Sequence, residues 1–122
     1  MSPRVSQLLV ALCFVLLVGC VRPGSEQELV PPKEADGQKS LNSAVPTEIR
    51  FVNHSGQTVN VYWLDYEGRP KYYQTLRDGE FYDQPTYVTH PWLIAGESGD
   101  VWDVHLPTEE PRTITITGPK KE

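Results

Sequence analysis

The chain has 122 residues, room for one domain, and a formal net charge of −5 at neutral pH. Eleven acidic residues stand against five basic ones from Thr47 to Gly118, which excludes nucleic acid and anionic lipid surfaces as partners because both require a basic face. Neither a nucleophile elbow nor a glycine-rich phosphate loop occurs, and His54, His90 and His105 lack metal-ligand spacing. We therefore expect no enzyme, no metal and no cofactor.

Residues 1–19 have the pattern of a bacterial lipoprotein signal peptide. Arg4 supplies a positive start, residues 8–18 are almost entirely apolar, and residues 17–20 (LVGC) match a lipobox. The apolar run is shorter than the roughly 20 residues needed to span a bilayer, so a cleaved segment is predicted. We expect Cys20 to become the lipid-modified, palmitate-bearing N-terminus of an extracytoplasmic, membrane-anchored protein.

Residues 20–46 are predicted to form a disordered linker. They lack apolar periodicity and are rich in Pro, Gly, Ser, Glu and Lys, a composition that does not bury enough apolar surface to order a chain. If Cys13 leaves with the signal and Cys20 carries the lipid, no thiol remains for a disulfide, a metal or a nucleophile. Val21, rather than Asp, follows the cysteine, which favours the outer membrane if the cell is Gram-negative.

Alternation with a period of two begins at Thr47 and predicts short strands. The predicted strands cover residues 47–52, 59–66, 71–76, 80–87, 92–95, 101–106 and 112–117. Trp102, Val104 and Leu106 are predicted to face inward together. No stretch has helical periodicity, so the sequence predicts an all-β domain over 47–118, a seven-stranded β-sandwich of short antiparallel strands, with a tail at 119–122.

Three motifs follow one another in the middle of the chain: W-L-x-[FY]-x-G-x-P from Trp63, Y-x-T-L from Tyr73, and [ST]-Y-x-x-H-x-W from Thr86. With these motifs, the segment from Trp63 to Ile94 resembles the von Hippel-Lindau β-domain family. Looser similarity extends from residue 49 to about residue 116. The family's β-domain is a seven-stranded sandwich that binds 4-hydroxyproline in an extended peptide without catalysis. The resemblance therefore implies an extended peptide with proline or hydroxyproline as the partner.

The resemblance also implies which residues bind the peptide. By position, the aromatic walls correspond to Trp63, Tyr73 and Trp92, the hydroxyl-binding groups to His90 and Thr86, and a further tyrosine to Tyr87. Thr86 replaces a serine of the family and keeps its hydroxyl, whereas Pro85 replaces a histidine. A buried polar group left unpaired costs about 1–3 kcal/mol, so such a cage is expected to prefer hydroxyproline to proline by roughly tens to hundreds of fold.

Two alternatives follow from the same residues: a structural or assembly lipoprotein whose aromatic residues are core, and a sugar-binding module. Half-exposed Trp63 and Trp92 around His90 and Thr86 would indicate a pocket, complete burial a scaffold, and rings in a flat row a sugar platform. The helical domain through which the family's tumour suppressor recruits a ubiquitin ligase has no counterpart before Glu122. We therefore expect no ubiquitin-ligase partner.

Overall fold

The structure is a computed structural model and describes residues 29–32 and 37–119. The expected signal peptide, Cys20 and part of the expected linker lie outside these residues, as does the end of the expected tail. Within the described ranges there is no helix that is long and apolar enough to cross a membrane.

The described residues form seven β-strands, which confirms the predicted all-β sandwich. The strands are β1 (Pro46–Asn53), β2 (Val59–Leu64), β3 (Pro70–Leu76), β4 (Phe81–Tyr87), β5 (Trp92–Gly96), β6 (Val101–His105) and β7 (Arg112–Ile116). β4 continues through Pro85, although proline cannot donate to a sheet ladder. This is tolerated because β4 lies at the edge of its sheet.

The strands are arranged in two sheets, with the orders β4-β1-β7 and β3-β2-β5-β6. Every pairing is antiparallel except that of β1 with β7, which is parallel. The prediction of only antiparallel strands was wrong at this pair. A parallel neighbour needs a long crossover connection, and the remainder of the domain lies between β1 and β7 and supplies it.

The main core lies between the two sheets. Alternate residues of β1 and β7 point into it, as their sequence pattern predicts, and Ile49 and Phe51 are completely buried. The buried members of the core are Ile49, Phe51, Val59, Val61, Leu76, Trp92, Ile94, Trp102, Ile114 and Ile116, with Trp63 and Tyr82 packed against them. Two members of the predicted cage, Trp63 and Trp92, thus belong to the core or contact it.

The outer face of the four-stranded sheet is apolar as well. A second buried cluster consists of Tyr62, Leu64, Leu93 and Ala95, with Val101 and Val104 packed against it. β2 and β5 are the two central strands of this sheet. Burial on both faces explains why their sequences, VNVYWL and WLIAG, are nearly continuous apolar runs rather than alternating ones.

Residues from the expected linker pack against both ends of this sheet. A Cβ atom on Gly99, in the turn between β5 and β6, would lie 2.8 Å from the carbonyl oxygen of Pro31. A Cβ atom on Gly68, in the turn between β2 and β3, would lie 3.1 Å from the carbonyl oxygen of Gln38. A Cβ atom at Gly99 would therefore clash with the N-terminal residues and one at Gly68 would crowd them, and the positive φ of both residues, 91° and 83°, favours glycine in any case.

Hydrogen bonds hold residues 40–45 to the domain. The Asn42 amide donates to Thr89 Oγ1 at 3.0 Å, and the Thr89 hydroxyl donates to the Asn42 carbonyl at 2.8 Å. The Val88 amide donates to the Val45 carbonyl at 3.0 Å. Residues 40–45 of the expected linker are thus bonded to the domain, and β1 begins at Pro46, one residue before Thr47.

The predicted facing of β6 was only partly right. Trp102 is buried in the core, but Val104 packs on the outer face and Leu106 is exposed. The β5–β6 pairing is interrupted by a bulge between Ile94 and Ala95, at which Trp102 is the extra residue. An extra residue reverses the facing of everything beyond it, so simple alternation fails here.

Asn53 ties the two sheets together and generates a stability prediction. It is completely buried in β1, and its side-chain amide donates to the backbone carbonyls of Leu76 at 2.9 Å and Gln57 at 2.7 Å. We expect Asn53→Ala to lower the free energy of unfolding by about 1–3 kcal/mol because buried acceptors lose their donor. Urea denaturation measures this difference.

The matched control is Gln57→Ala, whose side chain is exposed and whose removal leaves the backbone carbonyl in place. It is expected to change the free energy of unfolding by less than about 0.5 kcal/mol. Equal effects of the two substitutions would contradict the role assigned to the Asn53 amide.

Candidate functional site

A cavity of about 230 Å³ opens between the edge strands β3 and β4. Its lining residues are Ser43, Trp63, Tyr66, Tyr73, Gln84, Pro85, Thr86, Tyr87, His90 and Trp92. All six residues that the sequence assigns to ligand binding are in this set. The structure therefore brings together the positions that the family resemblance selected, although they come from four separate segments.

Strand pairing places the two tryptophans side by side. Trp63 of β2 and Trp92 of β5 are direct partners in the antiparallel ladder. Trp92 is 2% exposed and its ring contacts Phe51, with centroids 6.0 Å apart. Its indole N–H donates to Thr86 Oγ1 at 2.9 Å. Because Thr86 is on β4 of the other sheet, this buried hydrogen bond joins the two sheets at the base of the cavity.

Tyr73 reaches the cavity through a β-bulge. Val61 pairs with Gln74, but the next residue of β2, Tyr62, pairs with Tyr72, so Tyr73 is the extra residue of β3. Without the bulge Tyr73 would lie opposite Tyr62, whose side chain is on the outer face of the sheet. The bulge turns Tyr73 inward, where its ring stands 5.0 Å from that of Trp92.

The bulge also changes the facing of the neighbouring residues. Regular alternation would put Tyr73 and Thr75 on the same side of β3. In the structure Thr75 donates to the Asn60 side chain at 2.6 Å and lies 2.6 Å from the Tyr72 hydroxyl. These contacts place Thr75 on the outer face with Tyr72, away from Tyr73.

His90 lies at the centre of the cavity wall. It is 6% exposed, in the turn after β4, and its amide donates to the Tyr87 carbonyl at 2.9 Å. Its ring centroid is 5.3 Å from that of Trp63 and 5.2 Å from that of Tyr87. Burial lowers the pKa of His90 below its usual 6.5, and a hydrogen bond to the Asn42 backbone partly opposes this. The imidazole is therefore neutral at neutral pH.

Tyr66 is a cavity residue that regular alternation along β2 would not place there. Strict alternation puts it on the outer face of β2 with Tyr62, but β2 ends at Leu64. The Asp65 carboxylate accepts hydrogen bonds from the Glu67 and Arg69 amides, both at 2.8 Å, and so fixes a turn after the strand. The turn directs Tyr66 towards His90, with the phenol oxygen 3.2 Å from His90 Nε2.

Two serines of the expected linker complete the site. Ser40 is 2% exposed, accepts a hydrogen bond from the Trp63 indole at 2.8 Å and donates to the Leu64 carbonyl at 2.7 Å. Ser43 lines the cavity, with its hydroxyl 2.6 Å from that of Tyr66. The sequence analysis missed both serines because they lie in a segment of polar composition that was expected to be a linker. The signal that would have found them is an N-terminal extension of the family resemblance beyond Ile49.

The exposure of the aromatic rings distinguishes in part between a binding pocket, a structural scaffold and a sugar-binding surface. Trp63 and Tyr87 are half-buried and Tyr73 is 42% exposed, as expected around a pocket, whereas Trp92 is buried, as expected in a scaffold. Trp92 is therefore the floor of the cavity rather than a wall. The Trp63 and Tyr73 rings meet at 77° and the Tyr73 and Trp92 rings at 85°, which does not match the flat row expected for a sugar platform.

A comparison with protein families agrees with this arrangement. The family model described as the VHL beta domain matches residues 38–104, more than half of the 122 residues. The match starts at Gln38, nine residues before the predicted domain boundary at Thr47. It therefore includes the two serines as well as every residue that lines the cavity.

The buried His90 predicts a dependence of stability on pH. Its folded-state pKa lies below the unfolded value, so its contribution is fully present above about pH 6.5 and is lost as pH falls towards the folded-state pKa. We expect the wild-type melting temperature to fall between pH 7.5 and pH 5 by more than that of His90→Gln. Scanning calorimetry at both pH values tests this.

His54→Gln is the control, because His54 is exposed in the turn after β1. This variant should keep the pH dependence of the wild type. If His90→Gln and the wild type lose the same stability on acidification, the burial assigned to His90 is incorrect.

Proposed function

The chain belongs to the VHL β-domain family, and from this we propose that its domain is a non-catalytic module that binds an extended peptide by a proline or hydroxyproline side chain. The observation that carries the proposal is that Trp63, Tyr73, Thr86, Tyr87, His90 and Trp92 line one cavity. The residues that the family resemblance assigns to peptide binding are therefore residues that line this cavity.

The size and shape of the cavity support recognition of one side chain. Its volume of about 230 Å³ is below the ~300–1,000 Å³ of pockets that take drug-sized ligands. The half-buried Trp63 and the partly exposed Tyr73 supply apolar walls above the Trp92 floor. An apolar five-membered ring suits such a space better than a charged or branched polar group.

The surroundings of the cavity support an extended peptide as the ligand. β3 and β4 are edge strands of their sheets, and an edge strand offers backbone groups to a peptide that lies alongside it. Gln84, Pro85 and Thr86 belong to β4 and also line the cavity. A peptide that follows β4 would therefore carry an alternate side chain into the cage, although Pro85 removes one backbone donor from that edge.

Calorimetric titration tests this function. The protein is the mature chain from residue 20 with Cys20→Ser, and the ligands are extended peptides with randomised flanks around a central proline, 4-hydroxyproline or alanine. We expect binding of the proline and hydroxyproline pools and at least tenfold weaker binding to Tyr73→Ala, since an aromatic wall is lost. No binding of either pool at millimolar concentration would favour the structural alternative.

Tyr72→Ala is the matched control. Tyr72 and Tyr73 are adjacent and similarly exposed, at 46% and 42%, but the bulge puts them on opposite faces of the sheet. Tyr72→Ala should bind the peptides as the wild type does. An equal loss in both variants would indicate general damage to β3 rather than a cage wall.

We further propose that Cys20 anchors the protein to a membrane as a lipoprotein. The support is the LVGC sequence before it and the apolar run at 8–18. At most about 30 Å of extended chain separates Cys20 from Leu29, and Pro31 lies against Gly99. Gly99 is in the turn at the end of β5 opposite Trp92. The described residues nearest to the anchor in the sequence therefore lie at the end of the domain that is opposite the base of the cavity.

Metabolic labelling with palmitate tests the anchor in bacterial cells. Cys20→Ser is expected to lose both the label and the association with membranes, because the acceptor thiol is removed. Cys13→Ser, within the same signal, should keep both. Continued membrane association of unlabelled Cys20→Ser would refute the lipid anchor without affecting the peptide-binding proposal.

A further inference from the structure

The polar groups expected to recognise a ligand hydroxyl already have partners within the chain. His90 Nε2 is 3.2 Å from the Tyr66 phenol oxygen, and Thr86 Oγ1 accepts the Trp92 indole N–H at 2.9 Å. A phenol can donate or accept, so it satisfies Nε2 in either imidazole tautomer. Among the described residues, the buried side-chain polar atom without a partner is the Tyr62 hydroxyl, which lies on the outer face of the sheet.

This arrangement weakens the physical basis of hydroxyproline selectivity at His90. A cage discriminates against the ligand that lacks a hydroxyl when that ligand leaves buried polar atoms unpaired. Here an unmodified proline ring would leave the His90–Tyr66 and Thr86–Trp92 hydrogen bonds in place. To reach His90 Nε2, a ligand hydroxyl would have to displace the Tyr66 phenol, so the hydrogen bond gained with His90 would be offset by the one lost.

We propose that the site accepts unmodified proline with little or no preference for hydroxyproline, and that Tyr66 is the residue that determines this specificity. The inference rests on the proposed peptide-binding function. It narrows the ligand class to proline-containing segments that need no prior hydroxylation.

Ser43 strengthens the position of Tyr66. Its hydroxyl is 2.6 Å from the Tyr66 phenol oxygen and 3.5 Å from His90 Nε2. The Trp63 ring also meets the Tyr66 ring edge-on, with centroids 5.6 Å apart. Tyr66 is therefore held against His90 from two sides although it is 46% exposed, and a ligand hydroxyl would compete with a bond that is already positioned.

The test uses Tyr66→Phe, which keeps the ring and removes the hydroxyl. Position 66 corresponds to the [FY] position of the family pattern, so phenylalanine suits the fold. The mature chain with Cys20→Ser is titrated with two peptides that differ only in proline or 4-hydroxyproline. We expect wild-type affinities within about threefold, and at least a tenfold preference for hydroxyproline in Tyr66→Phe, about 1.4 kcal/mol, because with proline Nε2 would then keep only its 3.5 Å contact with Ser43.

Tyr72→Phe is the control. Tyr72 is also 46% exposed, and its hydroxyl contacts Thr75 on the outer face. The Tyr72→Phe variant should have the same ratio of affinities for the hydroxyproline and proline peptides as the wild type. A wild-type preference of tenfold or more for hydroxyproline, unchanged by Tyr66→Phe, would overturn the inference while the peptide-binding function stands. Binding of neither peptide would remove the proposed function and this inference with it.

A second measurement needs no ligand. The side-chain nitrogen resonances of His90 report the hydrogen bond at Nε2, so Tyr66→Phe should shift the Nε2 signal and Tyr72→Phe should not. An unchanged Nε2 signal in Tyr66→Phe would contradict the contact on which the inference depends, whatever the peptides do.

Discussion

The buried hydrogen bond from the Trp92 indole to Thr86 is the interaction on which the rest of the site depends. It crosses the core from one sheet to the other at the floor of the cavity. Trp92 also packs on Phe51 in the core and on Tyr73 in the cage. One side chain is therefore both core and binding surface, so the cavity cannot change shape without a cost to the packing of the sandwich.

Local departures from regular structure build the rest of the cavity. The bulge in β3 turns Tyr73 from the outer face to the inner one, and the turn held by Asp65 directs Tyr66 to His90. Regular strands alone would leave both tyrosines on the far side of the four-stranded sheet. Bulges and turns at functional edges can redirect side chains in this way, because one residue more or less in a strand moves the following side chains to the other face of the sheet.

The N-terminal residues are part of the domain for a physical reason. β2 and β5 are apolar on both faces, so the outer face of their sheet needs a cover, and residues of the expected linker lie against both of its ends. The same residues supply Ser43 to the cavity, and Ser40 as the partner of the Trp63 indole. A composition rich in proline, glycine and serine excludes a helix or a regular strand, but it does not exclude an irregular segment that packs.

The sequence by itself determined the seven strands and the inward faces of β1 and β7, because alternation is a property of short stretches. It indicated the six positions that meet in one cavity only through the resemblance to a known family. The tertiary structure alone decided the facing of Tyr73, Val104 and Leu106, and the partners of His90 and Thr86. Bulges arise from the pairing of two strands, and Tyr66 reaches His90 across 24 residues. Such contacts are set by packing between segments, and they decide here which polar atoms remain for a ligand.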